Sequence, residues 1–209
     1  MSLRQHLTSQ VATEARSEES DEVLMVRIAE GDIAAYEMLY DRYKNRILTF
    51  VVRFVGSREW AEDITQEVFL KVYKSPHSFD PRSRFITWLY AVARNLSIDN
   101  LRKRRPVMGL SLTTHDGDEF TIEPPSNPSI RPDKIALMHE MEATVSRLLQ
   151  DLSPKLREVF ILCAMQDLSY EEAALIVDCP PKTVSSRLSR ARSRFTKEFS
   201  WYLDGRRKP

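Results

Sequence analysis

Along most of the chain, apolar residues return every three or four positions, the spacing of one buried helix face. From Asp21 to Tyr43 this predicts a helical stretch broken near Gly31-Asp32, with Val23, Val26, Ile28, Ala35, Leu39 and Tyr40 in the core. Asn45 to Val55 continues as an apolar helix. After Gly56-Ser57, the stretch Trp60 to Lys74 is strongly amphipathic, with Trp60, Ala61, Ile64, Val68 and Val72 on one face. The other face holds Asp63, Gln66 and Leu70, with Tyr73 close by and Glu67 at the edge. A leucine and a tyrosine on a polar face fit a partner surface, and equally a face covered by another helix of the same unit. The loop Ser75 to Arg84, with Pro76, Phe79, Asp80 and Pro81, leads into a long helix from Phe85 to Arg104. Phe85, Leu89, Val92 and Leu96 form the core stripe of that helix and Trp88 its border. Thr87, Tyr90, Arg94, Ser97 and Leu101 are expected on its outer side.

The periodicity then stops. Residues 106–132 hold five of the eleven prolines, and proline removes amide donors and blocks helix, so this stretch reads as a flexible linker. Helical spacing resumes near Lys134 and runs to about Tyr202. Ser153-Pro154 opens a helix through Val159, Leu162 and Cys163, as an N-cap followed by proline at the first helical position. Ser169 with Glu172 forms a capping box for a helix from Tyr170 to Val177, in which Ala173 and Ala174 permit a close crossing. Beyond the break Asp178-Cys179-Pro180-Pro181, a last helix begins near Lys182 and carries Val184, Leu188, Ala191 and Phe195 inward. A short helix, a tight break and a basic third helix make a helix-turn-helix. Ser185, Ser186, Ser189 and Arg190 face outward where base edges would lie; Arg187, Arg192 and Arg194 flank them, placed for phosphates. A three-helix packing module with a solvated arginine face is the plainer reading of the same charges.

The expected fold is therefore all-α. Residues 1–20 form a mobile tail, 21–105 and 133–202 two small helical domains, 106–132 the linker, and 203–209 a basic tail. Hydrophobic residues make up 42% of the chain, against disorder, and five glycines in 209 residues fit helices. Net charge is +1, yet Arg102-Lys103-Arg104-Arg105 and the last helix are basic while the first thirty residues are acidic. Such segregation points to an anionic partner for particular surfaces. Aromatics interleaved with arginines beside the Ser75–Arg84 loop suit single-stranded nucleic acid, although Phe85 and Trp88 themselves read as core. No metal is expected, since none of the four histidines stands at ligand spacing with a cysteine. Cys163 and Cys179 lie among core-type residues, which fits a reducing cytoplasm. No signal-peptide core or membrane-length run is seen.

Two sets of residues resemble one family. Leu152-Ser153-Pro154, Arg157-Glu158-Val159-Phe160, Leu168 to Ala174 and Thr183 to Arg192 resemble region 4 of bacterial extracytoplasmic-function sigma factors. Ala61 to Phe69 resembles the helix by which these proteins bind the clamp coiled coil of RNA polymerase, and Phe85 to Asn95 the adjoining promoter-melting helix. The resemblance covers about Asp21 to Phe199. It implies core polymerase binding by Asp63, Gln66, Glu67, Leu70 and Tyr73. It implies minus-ten contacts by Phe79, Arg82, Arg84, Trp88, Tyr90, Arg94, Asn95, Arg102, Lys103 and Arg104, the loop capturing a flipped base. It assigns minus-thirty-five recognition to Thr183, Ser185, Ser186, Arg187, Ser189, Arg190, Arg192 and Arg194. Glycine is usual in the family where Asp178 and Lys182 stand. Asp178 tolerates left-handed backbone, whereas Lys182 is expected to alter how the recognition helix starts.

The implied function is a sigma factor directing promoter-specific initiation, its implied partners being core polymerase, promoter DNA and an anti-sigma factor, with no cofactor and no catalytic residues. A free-standing helix-turn-helix regulator explains the C-terminal half alone and leaves the Asp63–Gln66–Leu70 face without a role. A metal-dependent hydrolase using Asp63 and Glu67 lacks accompanying histidines or a phosphate loop.

Overall fold

The computed structural model describes residues 19–104 and 132–203, and these are helices joined by short connections, without strand. The expected tails and linker, apart from Glu19, Ser20, Pro132 and Leu203, lie outside the described residues. Helix α1 (Asp21–Ala29) starts where Ser20 Oγ accepts the Val23 N–H at 3.4 Å. Its buried side is Leu24, Met25 and Ile28; Val23 and Val26, expected in the core, are 49% and 43% exposed. A nine-residue helix with apolar side chains on several sides fits two stripes of equal spacing. Packing against α2 selects the one with the longer leucine and methionine side chains.

Helix α2 (Ile33–Val55) begins at Asp32, whose carboxylate accepts the N–H groups of Ala34 and Ala35 at 2.9 and 3.2 Å. Arg27 donates to its other oxygen at 2.7 Å, and that bond holds the Asp32 carboxyl below its ordinary pKa. Asn45–Val55 runs on within this one helix, which ends at Gly56 in left-handed backbone, φ 80°. Helix α3 (Arg58–Lys74) is capped by Ser57 and buries Ala61, Ile64, Val68 and Val72 as expected, with Thr65 and Phe69 added. A 3₁₀ turn (Pro76–Ser78) and a loop precede α4 (Phe85–Arg104). The Phe85 N–H at its start donates to Glu22 Oε1 of α1 at 3.0 Å. Burial alone would raise the Glu22 pKa, but this bond and the nearby Arg84 leave it lowered.

The second half comprises α5 (Pro132–Gln150), α6 (Pro154–Phe160), α7 (Tyr170–Val177) and α8 (Pro181–Leu203). The helix expected through Cys163 is α6 followed by a π-helical turn, Ile161–Met165. The capping box of α7 is complete: Glu172 N–H to Ser169 Oγ at 3.1 Å and Ser169 N–H to Glu172 Oε2 at 2.8 Å. Asp178 takes the left-handed conformation, φ 52°. Lys182 sits within the first turn of α8 and not in left-handed backbone, so no glycine is needed there.

Buried side chains of the two halves form one continuous cluster. Polar contacts join them at the C-terminus of α2, whose last carbonyls need donors. Arg157 of α6, 9% exposed, donates to the Phe54 carbonyl at 2.7 Å and to the Gln150 and Leu152 carbonyls at 2.8 and 3.2 Å. Gln150 Nε2 donates to the Arg53 carbonyl at 3.2 Å. Burial pushes the Arg157 pKa down to about 10, which leaves it a cation at neutral pH.

Candidate polymerase and nucleic-acid interfaces

Helix α3 presents Asp63, Gln66, Glu67, Leu70 and Tyr73 on one uncovered face, with Leu70 and Tyr73 about half exposed. Among the described residues no helix covers it. Tyr73 meets Tyr36 of α2 edge-on at 5.3 Å between ring centroids, and Tyr36 is followed one turn later by Tyr40. Tyr40, expected in the core, stays exposed with its ring against Phe69 at 4.8 Å. This tyrosine ledge extends the α3 face onto α2. It escapes sequence reasoning because tyrosines at helical spacing look like core, and which tyrosine reaches the rim depends on how α2 and α3 cross.

The loop before α4 is built on aromatic packing. Phe79 is buried, 5.9 Å from Phe85 and 5.6 Å from Trp88 between ring centroids. Its ring therefore supports the loop and offers no free stacking surface, contrary to its place among the minus-ten contacts. Trp88 is half-buried, in keeping with a border position. Arg82 is exposed and pairs with Asp80 at 3.1 Å, which holds the Asp80 carboxyl below its ordinary pKa. Asn95, Arg102 and Lys103 are exposed, and Arg104 closes the helix.

The expected outer side of α4 is not an outer side. Thr87, Tyr90 and Ser97 are buried and Leu101 packs against the core. The C-terminal half lies over this face. Tyr90 OH donates to Gln166 Oε1 at 2.6 Å, Arg94 Nε donates to Glu158 Oε2 at 2.8 Å, and Arg84 pairs with Glu172. Burial pushes the Tyr90 pKa up to about 12. A proline-rich stretch that merely separates two domains leaves nothing to cover this face, which is why the sequence predicts it open.

On α8 the inward stripe is Val184, Leu188 and Ala191, with Phe195 stacked on Phe160 at 4.8 Å. Ser185, Ser186, Ser189, Arg190, Arg192 and Arg194 are exposed, and Thr183 is half-buried. Ser186 Oγ donates to the Thr183 carbonyl at 3.0 Å, and Arg190 Nε to the Ser186 carbonyl at 3.3 Å. Arg187 differs from the other flanking arginines. It lies 3.9 Å from Glu158 Oε1 and 3.7 Å from Cys179 Sγ, with 18% of its side chain exposed. The two cysteines are free thiols, and burial pushes Cys163 up to about 11. No described helix is long and apolar enough to cross a membrane.

Comparison with known proteins accounts for both halves. The family model Sigma-70 region 2 matches residues 39–107, and Sigma-70, region 4 matches residues 143–195. The RNA polymerase sigma-H factor of Pseudomonas aeruginosa is 36% identical over 183 residues, 87% of this chain and 94% of that protein. The ECF RNA polymerase sigma-E factor of Escherichia coli K12 is 35% identical over 175 residues, 83% of this chain and 91% of that one. Among solved structures, the Bartonella quintana sigma factor RpoE in complex with the anti-sigma factor NepR has a TM-score of 0.62 and 26% identity, covering 80% of this chain and 98% of that one. CnrH in complex with the cytosolic domain of CnrY shares the fold at TM-score 0.65 and 22% identity, covering 87% and 98%. Two family matches in the right order and relatives aligned over nearly their full length make this chain an extracytoplasmic-function member of the sigma-70 family, a sigma factor that directs RNA polymerase to promoters.

Proposed function

We propose a division of labour between the two halves. Residues 21–105 act as region 2 and residues 133–202 as region 4. The α3 face of Asp63, Gln66, Glu67, Leu70 and Tyr73 docks on core polymerase. The α4 helix and the loop before it, through Arg82, Arg84, Trp88, Asn95 and the basic end Arg102 to Arg104, open and hold the minus-ten DNA; Tyr90, buried against Gln166, and Arg94, paired with Glu158, have little surface to offer it. The exposed serines and arginines of α8 read the minus-thirty-five duplex, with Arg192 and Arg194 on phosphates. Nothing in this scheme requires catalysis by the chain itself, and it acts where polymerase and chromosome are, in the cytoplasm. A regulon answering stress or envelope signals accords with the named relatives.

An anti-sigma factor is part of this reading. NepR is such a partner for the Bartonella relative. On this chain Leu175, 74% exposed on α7, stands at a groove lined by Ala174, Pro180 and Pro181, an apolar surface suited to a protein partner.

The single observation that carries the proposal is the uncovered α3 face, acidic and apolar together, on a helix whose other side is buried from Ala61 to Val72. Binding of the full chain to core RNA polymerase tests it without knowledge of the promoter. Wild type co-elutes with core in size exclusion; Asp63→Arg with Gln66→Ala, still helical by circular dichroism, does not. Equal co-elution of both proteins refutes the assignment of the docking face.

A further inference from the structure

The docking face does not end at the edge of α3. Tyr73, near the end of that helix, lies edge-on to Tyr36 of α2 at 5.3 Å, Tyr36 and Tyr40 stand 6.2 Å apart, and Tyr40 meets the buried Phe69 at 4.8 Å between ring centroids. Tyr40 and Tyr73 are 39% and 50% exposed, and Tyr36 is half-buried between them. A single apolar ring in solvent is ordinary. Three linked tyrosines at one helix crossing are a continuous aromatic surface, of the composition that concentrates binding energy in protein interfaces. The rings also attract cations, since Lys44 Nζ lies 5.3 Å from the Tyr40 centroid while bonded to Asp41 at 2.6 Å. Glu37, Asp63 and Glu67 are exposed beside the same strip and have no cationic partner among the described residues. Lys71 and Lys74 stand in the last turn of α3, where the carbonyl end of the helix favours them.

We propose that Tyr36, Tyr40 and Tyr73 are a second part of the docking face, an aromatic ledge on which core polymerase seats an arginine side chain. This rests on the assignment of α3 to polymerase docking and names the chemistry of the partner at the neighbouring helix. The planar guanidinium lies on the ring faces, where its weak hydration makes it easier to desolvate than an ammonium. Lys44 marks where a positive charge sits above the ledge, and Glu37 and Glu67 supply the negative field around it. The same acids repel nucleic acid, and the ring contacts make the ledge continuous with Leu70 and Tyr73 of the α3 face, so its occupant is the protein that α3 binds. The interface then spans two helices, with carboxylates at the Asp63 end and rings at the Tyr73 end.

The test measures binding of the full-length chain, fluorescein-labelled at its N-terminus, to purified bacterial core RNA polymerase by equilibrium anisotropy. Wild type is compared with Tyr40→Phe plus Tyr73→Phe, with Tyr40→Leu plus Tyr73→Leu, and with Asp63→Arg plus Gln66→Ala, each checked for helix by circular dichroism. Phenylalanine keeps the ring and removes the hydroxyl; leucine keeps apolar area and removes the ring. The phenylalanine variant is expected within about twofold of wild type, and the leucine variant about tenfold weaker or more. Tyr73→Leu alone, at the more exposed ring, is expected to weaken binding about threefold and decides the matter if the double leucine variant does not fold. Wild-type affinity in the leucine variant, with Asp63→Arg plus Gln66→Ala still failing to bind, overturns the ledge and leaves the α3 face in place. Equal weakening by phenylalanine and leucine gives the contact to the hydroxyls and overturns the cation seat. Full binding by both the leucine and the α3 variants overturns the docking assignment together with the ledge.

Discussion

The junction of the two halves at Gly56 permits a quantitative test of their packing. Gly56 ends α2 with φ 80°, and a Cβ built there would lie 2.8 Å from the Gln150 side-chain carbon and 2.9 Å from its nitrogen. Gly56→Ala therefore carries two separable costs. Left-handed backbone costs an L-residue about 1–2 kcal/mol. Displacing Gln150 also breaks its bonds to the Arg53 carbonyl and to Arg157, each worth about 1 kcal/mol net. The single variant should lose about 3–4 kcal/mol. In a Gln150→Ala background the second cost is already incurred and only the backbone strain remains, about 1–2 kcal/mol. Urea unfolding of the four proteins closes the cycle, and a coupling of about 1 kcal/mol or more is expected. Additivity within about 0.5 kcal/mol would mean that Gln150 does not lie against Gly56 in solution, and the packing of the halves at this point would be refuted.

Two further predictions concern the C-terminal half. Ser169→Ala removes the hydroxyl that caps α7 and should cost about 1 kcal/mol, lowering Tm by about 2–4 °C; an unchanged melting curve would show that the capping box contributes nothing. With Cys179→Ser in place, the remaining Cys163 thiol should react with a disulfide reagent on the order of a hundredfold more slowly at pH 8 than a free cysteine. Its pKa is pushed up to about 11 by burial, so the rate should rise about tenfold per pH unit from pH 7 to 10; a rate equal to that of free cysteine would contradict the buried thiol.

Much of the architecture is legible because it is written in local chemistry. The capping box Ser169–Glu172 and the inward stripe of α8 come from spacings within one helix. The left-handed turn at Asp178 follows from a residue type that tolerates it. The α3 face is legible for the same reason, since one amphipathic helix defines both its sides. What fails depends on neighbours. The Val23 and Val26 stripe of α1 is the wrong choice because α1 has two equivalent apolar stripes and α2 decides between them. Lys182 is a difficulty only if the turn extends as far as that residue. With Pro181 opening α8, its position is ordinary helix.

The face of α4 is the instructive failure, because the pattern holds the answer in another form. A helix with one buried side separates its apolar residues from its polar ones. In α4 Phe85 and Leu89 lie on one side while Thr87, Tyr90 and Ser97 lie on the other, and both sides are buried. Aromatic and small polar residues among arginines suit a surface for single-stranded DNA, and the same composition serves a surface covered by protein. Tyr90 needs a hydrogen-bond acceptor when buried and finds Gln166; Arg94 needs an anion and finds Glu158. A protein cover and a nucleic acid satisfy such side chains with the same chemistry, a flat apolar contact plus an anionic oxygen. The sequence of α4 alone therefore cannot name its occupant; Glu158 and Gln166, 64 and 76 residues beyond their partners, carry the missing information. Their side chains have meaning only when the chain has folded back on itself.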